Sequence, residues 1–98
     1  MPTEFECLVY EKTSEIPRGS VTTYAELACV IGKPNAARAV GNALNHNPHP
    51  IAVPCHRVVR SDMSLGGYAN GTNAKKELLI SEGVKIKGER VIGTPWKF

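Results

Sequence analysis

At 98 residues the chain has the length of one domain, with room for a single modest core and no second lobe. Its 42% hydrophobic and 21% charged content is that of an ordinary globular protein; no apolar run reaches membrane-span length, and the N-terminus lacks a signal-peptide layout, so neither a membrane nor a secretory role is expected. The net charge of +3 is uneven: residues 1–31 carry −3 and residues 32–98 carry +6, an asymmetry that points to a polyanionic partner on one side, nucleic acid first. A merely basic, solvated surface is the alternative.

Three widely spaced cysteines, Cys7, Cys29 and Cys55, argue against a disulfide framework and for a reducing, cytoplasmic or nuclear compartment. Without a Cys-x-x-Cys pair, neither a zinc site nor any other cofactor is expected.

Thr3-x-x-Glu6 predicts a capping box, and Phe5, Leu8, Val9 and Ile16 mark an amphipathic first helix that ends before Pro17-Arg18-Gly19-Ser20. A second capping box, Thr23-x-x-Glu26, opens a helix carrying Leu27, Ala28, Val30 and Ile31 inward, with Gly32 as its left-handed stop. Cys7 and Cys29 are expected as small buried hydrophobes of these two helices. After Lys33-Pro34, Asn35 is expected to cap a third helix from Ala36 to Asn45.

The third helix has two faces. Ala36, Val40, Ala43 and Leu44 should pack on the second helix, while Arg38, Asn42 and Asn45 share the opposite face. The small residues Ala37, Ala39 and Gly41 around Arg38 allow the backbone close approach to a surface. Two helices joined by a tight turn, the second presenting Arg and Asn, fit a helix-turn-helix reader of DNA; an ordinary solvated helix face fits as well.

Asn47-Pro48-His49-Pro50 is a rigid connector into Ile51-Ala52-Val53, a short apolar strand that runs into Pro54-Cys55-His56-Arg57-Val58. A core strand has no packing reason to place Cys, His and Arg in succession, because His and Arg are costly to bury unpaired. A nucleophilic cysteine supplies one. A free thiol, with a pKa of roughly 8.5, is activated by a neighbouring imidazole or cation. A packed, inert cysteine is the alternative at this point. A turn at Ser61-Asp62-Met63-Ser64 follows, then a glycine-rich loop, Leu65 to Gly71, around Tyr68, whose ring and hydroxyl can both serve a ligand. Thr72 or Asn73 is expected to cap a last helix, Ala74 to Glu82, with Leu78 and Leu79 inward and Gly83 as its stop. The tail, residues 84–98, fits either a small hairpin or a segment packed by Trp96.

Together the motifs Gly19-x-Val21-x-x-Tyr24-x-x-Leu27-Ala28, Ala37-Arg38-Ala39-Val40-Gly41, Asn47-Pro48-x-Pro50-Ile51-x-x-Pro54-Cys55-His56-Arg57-Val58-Val59, Gly67-Tyr68, Lys75 and Leu78-Leu79-x-x-Glu82-Gly83 resemble the O6-alkylguanine-DNA alkyltransferase family. The resemblance covers the family's C-terminal, active-site domain from about residue 5 to residue 83, without the separate N-terminal domain that many members carry. It implies a mainly α, three-to-four-helix single domain over residues 1–98, with a winged-helix-like helix-turn-helix and a short strand or hairpin carrying the active-site cysteine.

The resemblance also implies roles. Cys55 would take the alkyl group from guanine O6 in double-stranded DNA and keep it, as a single-turnover methyltransferase acting as a monomer. His56 and Glu82 would draw the proton from Cys55 through a water, and Tyr68 would protonate the departing guanine. Arg38 would fill the place of the flipped nucleotide, and Tyr24 would press on its 3′ phosphate, with Ala37, Gly41 and Asn42 completing the DNA face. Asn47 would act as the hinge between recognition helix and active site. The backbone at Cys55 and Val58 would read the guanine edge, and Ala69 and Asn70 would wall the pocket. Asn70 stands where the family often has glycine, which would narrow acceptance of larger alkyl groups. Arg57 is expected to make a structural pair. Two other classes fit parts of the pattern: an alkyltransferase-like binder lacking the acceptor, against which Cys55 itself argues, and an operator-reading transcription factor, which leaves His56, Tyr68 and Glu82 without joint purpose.

Overall fold

The computed structural model describes residues 3–47, 53–66 and 71–98. Among them the elements run α1 (Glu4–Thr13), β1 (Thr22–Thr23), α2 (Tyr24–Val30), α3 (Ala37–Asn45), a single 3-10 turn at Cys55–Arg57, β2 (Val58–Val59), α4 (Thr72–Ser81), β3 (Ile86–Lys87) and β4 (Arg90–Val91). The mainly α character that the resemblance implies is what is found.

Local chemistry accounts for most of the helix ends. Thr3 and Glu6 form the reciprocal capping box: the Glu6 N–H donates to Thr3 Oγ1 (3.1 Å) and the Thr3 N–H to Glu6 Oε1 (2.9 Å). In α2 only half of the expected box forms. Thr23 Oγ1 accepts from the Glu26 N–H at 3.1 Å, but the Glu26 carboxylate is drawn instead to Lys97 at 2.6 Å. Both α2 and α4 end in a left-handed glycine. Gly32 (φ +82°) brings the Lys33 N–H back to the Ala28 carbonyl, and Gly83 (φ +93°) brings the Val84 N–H back to that of Leu79.

Two expected caps are displaced. Asn35 does not cap α3: a turn from the Lys33 carbonyl to the Ala36 N–H makes Ala36 the cap residue, which has no side-chain acceptor to offer. Likewise α4 is capped by Gly71 (φ +93°), whose carbonyl accepts from the Lys75 N–H, so Thr72 is already the first helical residue.

Helices α1, α2 and α3 pack on one another around Val9, Ile16, Leu27, Ala28, Val40, Ala43 and Leu44. A second cluster, Val21, Val59, Leu65, Leu79, Val84 and Val91, lies under α4 and the tail. Each fully buried Val or Leu contributes on the order of 1.5–3 kcal/mol. Strand β1 pairs in parallel with β2, Thr22 opposite Val58 and Thr23 opposite Val59, and this pair joins the two clusters: Val58 belongs to the first and Val59 to the second. The tail forms the hairpin alternative, with β3 antiparallel to β4, and Trp96 also packs on the first cluster.

Cys7 and Cys29 are exposed, contrary to expectation. Helical phase explains it. The buried stripe of α1 is Val9 and Thr13, with Phe5 one turn earlier, and Cys7 and Leu8 (38% exposed) fall off that stripe. In α2 the buried pair is Leu27 and Ala28, and Cys29 lies a further 100° round the helix.

Candidate active site and nucleic-acid interface

Cys55 does not sit in a strand or hairpin, as expected, but in the Cys55–Arg57 turn that precedes β2. Pro54 directs this. It has no N–H to give a ladder, its φ is held at −79°, and its carbonyl accepts from the Arg57 N–H at 2.9 Å, while the Cys55 N–H closes on the Val53 carbonyl at 2.7 Å. Three successive side chains therefore leave the turn in different directions. Cys55 is 6% exposed and packs into the first cluster, His56 is 1% exposed, and Arg57 reaches back toward the end of α4.

Glu82, the C-cap residue of α4, gathers the other two. Its Oε2 lies 3.0 Å from His56 Nε2, and Arg57 grips the carboxylate with Nε at 2.9 Å and Nη2 at 2.8 Å. Arg57 Nη1 also donates to the Ile16 carbonyl at 2.9 Å, anchoring the arrangement to the segment after α1. Burial alone would raise the Glu82 pKa, but the hydrogen bonds from Arg57 and His56 and their charges push it down to about 2. Burial lowers the His56 pKa, opposed by the Glu82 hydrogen bond and charge and assisted by the Arg57 and Lys75 charges. The ring is therefore neutral near pH 7. A carboxylate can only accept, so Nε2 carries the hydrogen and Nδ1 is the basic nitrogen. Arg57 is the structural partner that sequence reasoning expected.

Lys75, a motif residue of the resemblance to which sequence reasoning gave no role, is brought by the structure to the same site. It is fully buried in α4, its Nζ donates to the Val58 carbonyl at 2.7 Å, and it stands 5.8 Å from the Tyr24 ring centroid. Burial pushes its pKa down to about 8, with the charge of Cys55 opposing and that of Arg60 adding. The buried ammonium and Cys55 lie within electrostatic reach of each other. A signal was present in the sequence: Lys75 lies one turn before Leu79, on the stripe that α4 buries.

The DNA-facing candidates converge on one groove of about 570 Å³, walled by Tyr24, Arg38, Gly41, Asn42, Asn45 and Arg60, with Ala37 at its edge. A Cβ on Gly41 would stand 3.9 Å from the Tyr24 ring, an ordinary contact, so α3 packs close to that ring at this position. Burial raises the Tyr24 pKa, with the Cys55 charge assisting, which keeps its hydroxyl a donor. Asn47 Nδ2 donates to the Val53 carbonyl at 2.9 Å, tying the end of α3 to the approach to Cys55. Tyr68, Ala69 and Asn70 lie outside the described residues, as do Pro48, His49, Pro50 and Ile51. Among the described residues no cluster of three His, Cys, Asp or Glu side chains could hold a metal ion, and no helix is long and apolar enough to cross a membrane.

The family described as 6-O-methylguanine DNA methyltransferase, DNA binding domain, matches residues 4–84. The chain belongs to this family. Among curated members it is 46% identical over 87 residues to the methylated-DNA–protein-cysteine methyltransferase of Methanothermobacter thermautotrophicus, covering 89% of this chain and 48% of that one. It is 52% identical over 80 residues to the protein of the same name from Methanosarcina barkeri, covering 82% and 51%. The chain thus spans about half the length of these alkyltransferase relatives. Among solved structures, Mycobacterium tuberculosis OGT in complex with DNA superposes with a TM-score of 0.82 at 46% identity, covering 84% of this chain and 51% of that one. The S. pombe ATL in complex with DNA superposes at 0.83 and 38% identity, covering 96% and 95%.

Proposed function

We propose that this domain repairs DNA by direct, stoichiometric transfer of the alkyl group from O6-alkylguanine in a duplex to Cys55. The observation that carries the proposal is the Glu82 carboxylate held at once by His56 and Arg57, directly beside Cys55 in sequence and in a member of this family.

The lesion's alkyl carbon is inside the base stack, so the nucleotide must first be extruded, at a cost of a few kcal/mol. Arg38, projecting from the groove wall, occupies the vacated space, and Tyr24 and the small residues of α3 meet the backbone without reading sequence. His56 Nδ1 takes the Cys55 proton through a water, Glu82 steadies the imidazolium, and Lys75 supports the thiolate. The thiolate attacks the alkyl carbon, an S–C bond forms as the C–O6 bond breaks, and the guanine ring takes a proton from Tyr68 as it leaves. The thioether at Cys55 is stable, so each molecule acts once. The three cysteines are free thiols, in keeping with a reducing cytoplasmic or nuclear setting, and the domain acts as a monomer on duplex DNA.

Intact mass after mixing with one equivalent of duplex DNA carrying O6-methylguanine tests this. One methyl group per chain, mapped to Cys55 and without recycling, is expected; Cys55→Ser should still bind the duplex and transfer nothing. Methylation at Cys7 or Cys29, or multiple turnovers, would contradict the assignment.

A further inference from the structure

The family match ends at residue 84, yet the tail beyond it is attached to the reaction site at two separate places. At the first, the β3–β4 hairpin adds itself to residues 63–65. The Leu65 N–H donates to the Glu89 carbonyl and the Val91 N–H to the Met63 carbonyl, both at 2.9 Å, and Ser64 forms a bridge with Arg90. Residues 63–65 in turn fold back on the end of β2, the Arg60 N–H donating to the Ser64 carbonyl at 3.0 Å. The hairpin therefore braces the strand that continues from the Cys55–Arg57 turn, and it holds the residues from which the Tyr68 segment departs.

At the second place the tail takes the other edge of the same parallel pair. The Trp96 N–H donates to the Val21 carbonyl at 2.6 Å, Thr22 Oγ1 donates to the Trp96 carbonyl at 3.0 Å, and Lys97 reaches Glu26 in the first turn of α2 at 2.6 Å. These contacts fix β1 and the start of α2, where Tyr24 stands. Between the two attachments Gly93 and Thr94 are exposed, and an open cleft of about 510 Å³ separates this span from residues 19–21 and 83–85. The span is held by its ends, not by packing along its length.

We propose that residues 86–97 form a clasp that grips the β1–β2 pair from both edges, its hairpin positioning the Cys55 side and its Trp96 end positioning the Tyr24 side. The inference rests on the alkyl-transfer reading and adds a positioning role to residues outside the family match. Because the ends brace different halves of the site, loosening each should have a different consequence. A loosened hairpin displaces the reacting groups and slows reaction with any substrate. A loosened Lys97–Glu26 contact at the other end displaces the start of α2, and with it the duplex-binding half.

Variants of the 98-residue chain read by two substrates test the clasp: a duplex carrying O6-methylguanine and free O6-methylguanine base, each compared per folded molecule below the onset of unfolding. Gly88→Val places a β-branched residue at φ +64° in the hairpin turn, where its Cβ meets no neighbour within 4 Å, so it strains the turn without crowding the core. It should slow both substrates by about fivefold, and Lys97→Glu, which sets like charge against Glu26 on the surface, should slow the duplex by about threefold while leaving the free base within about twofold. Should Gly88→Val not fold, the milder Gly88→Ala at the same positive φ should slow both substrates by about twofold. Wild-type rates in all folded variants, or equal losses on both substrates at both ends, would overturn the clasp. Absence of transfer in the wild-type protein would instead overturn the alkyl-transfer reading beneath it.

Discussion

The two halves of the site are built in opposite ways. Around Cys55 the polar groups are buried and satisfied within the protein: Glu82 accepts from His56 and Arg57, Arg57 also holds the Ile16 carbonyl, and Lys75 holds that of Val58. Along α3, by contrast, Arg38 and Asn42 are exposed, and among the described residues their side chains hold no hydrogen bond or ion pair. A group that performs proton transfer gains from being placed in advance, because the reaction then spends nothing on reorganising it. A group that must enter a duplex gains from being unengaged, since every internal bond would have to be broken first. On the proposed function, the chemical half is prewired and the DNA half waits for its partner.

This contrast can be broken at chosen residues. The largest effect is expected from Glu82→Gln, which keeps the shape but removes the charge that steadies protonated His56. Alkyl transfer near neutral pH should fall about a hundredfold, with partial recovery in alkali where solvent ionises the thiol directly. The check is transfer rate against pH for wild type and a variant shown to be folded; superimposable profiles would remove Glu82 from the relay. Lys75→Met should slow transfer by about tenfold. The variant should also lose stability, by about 1–3 kcal/mol, because the buried Val58 carbonyl loses its donor. With the Lys75 pKa at about 8, the wild-type rate should also decline above that pH, and the variant should lack this decline.

The smallest effect is on stability in acid. His56 and Glu82 both have pKa values below their ordinary ones when folded, so the unfolded chain binds the additional protons. Stability should therefore be fully present above the ordinary His value of about 6.5 and begin to fall below it. A second loss should set in below the ordinary Glu value of 4.5 and continue toward about 2. Denaturant midpoints against pH would check the window, and Glu82→Gln should flatten its lower part.

What could be read from the sequence follows from the range of the interactions involved. The capping box at Thr3, the glycine stops at Gly32 and Gly83, and the two faces of α3 depend on residues a few positions apart, and they appear where periodicity places them. The Cys55–His56–Arg57 run stood out because His and Arg are costly to bury unpaired, and the structure pairs both with Glu82. Lys75 was harder to see: whether a lysine on an apolar stripe is buried depends on a carbonyl 17 residues away in β2. The burial of Cys7 and Cys29 was misjudged because apolar neighbours in sequence are not neighbours in helical phase. The turn that carries Cys55 is set by the missing N–H of Pro54, which reads equally well as an interrupted strand. The tail's attachments span up to 75 residues and leave no local pattern.

The separateness of the two halves is tested most directly by Arg38→Ala assayed on two substrates, duplex O6-methylguanine and free O6-methylguanine base. The free base needs no extrusion, so it reports the prewired chemistry alone. The duplex rate should fall by tenfold or more, about the loss expected when part of a few-kcal/mol flipping cost is no longer offset. The free-base rate should stay at its wild-type value. Equal losses on both substrates would show that Arg38 supports the pocket or the fold, and that the two halves are not separable.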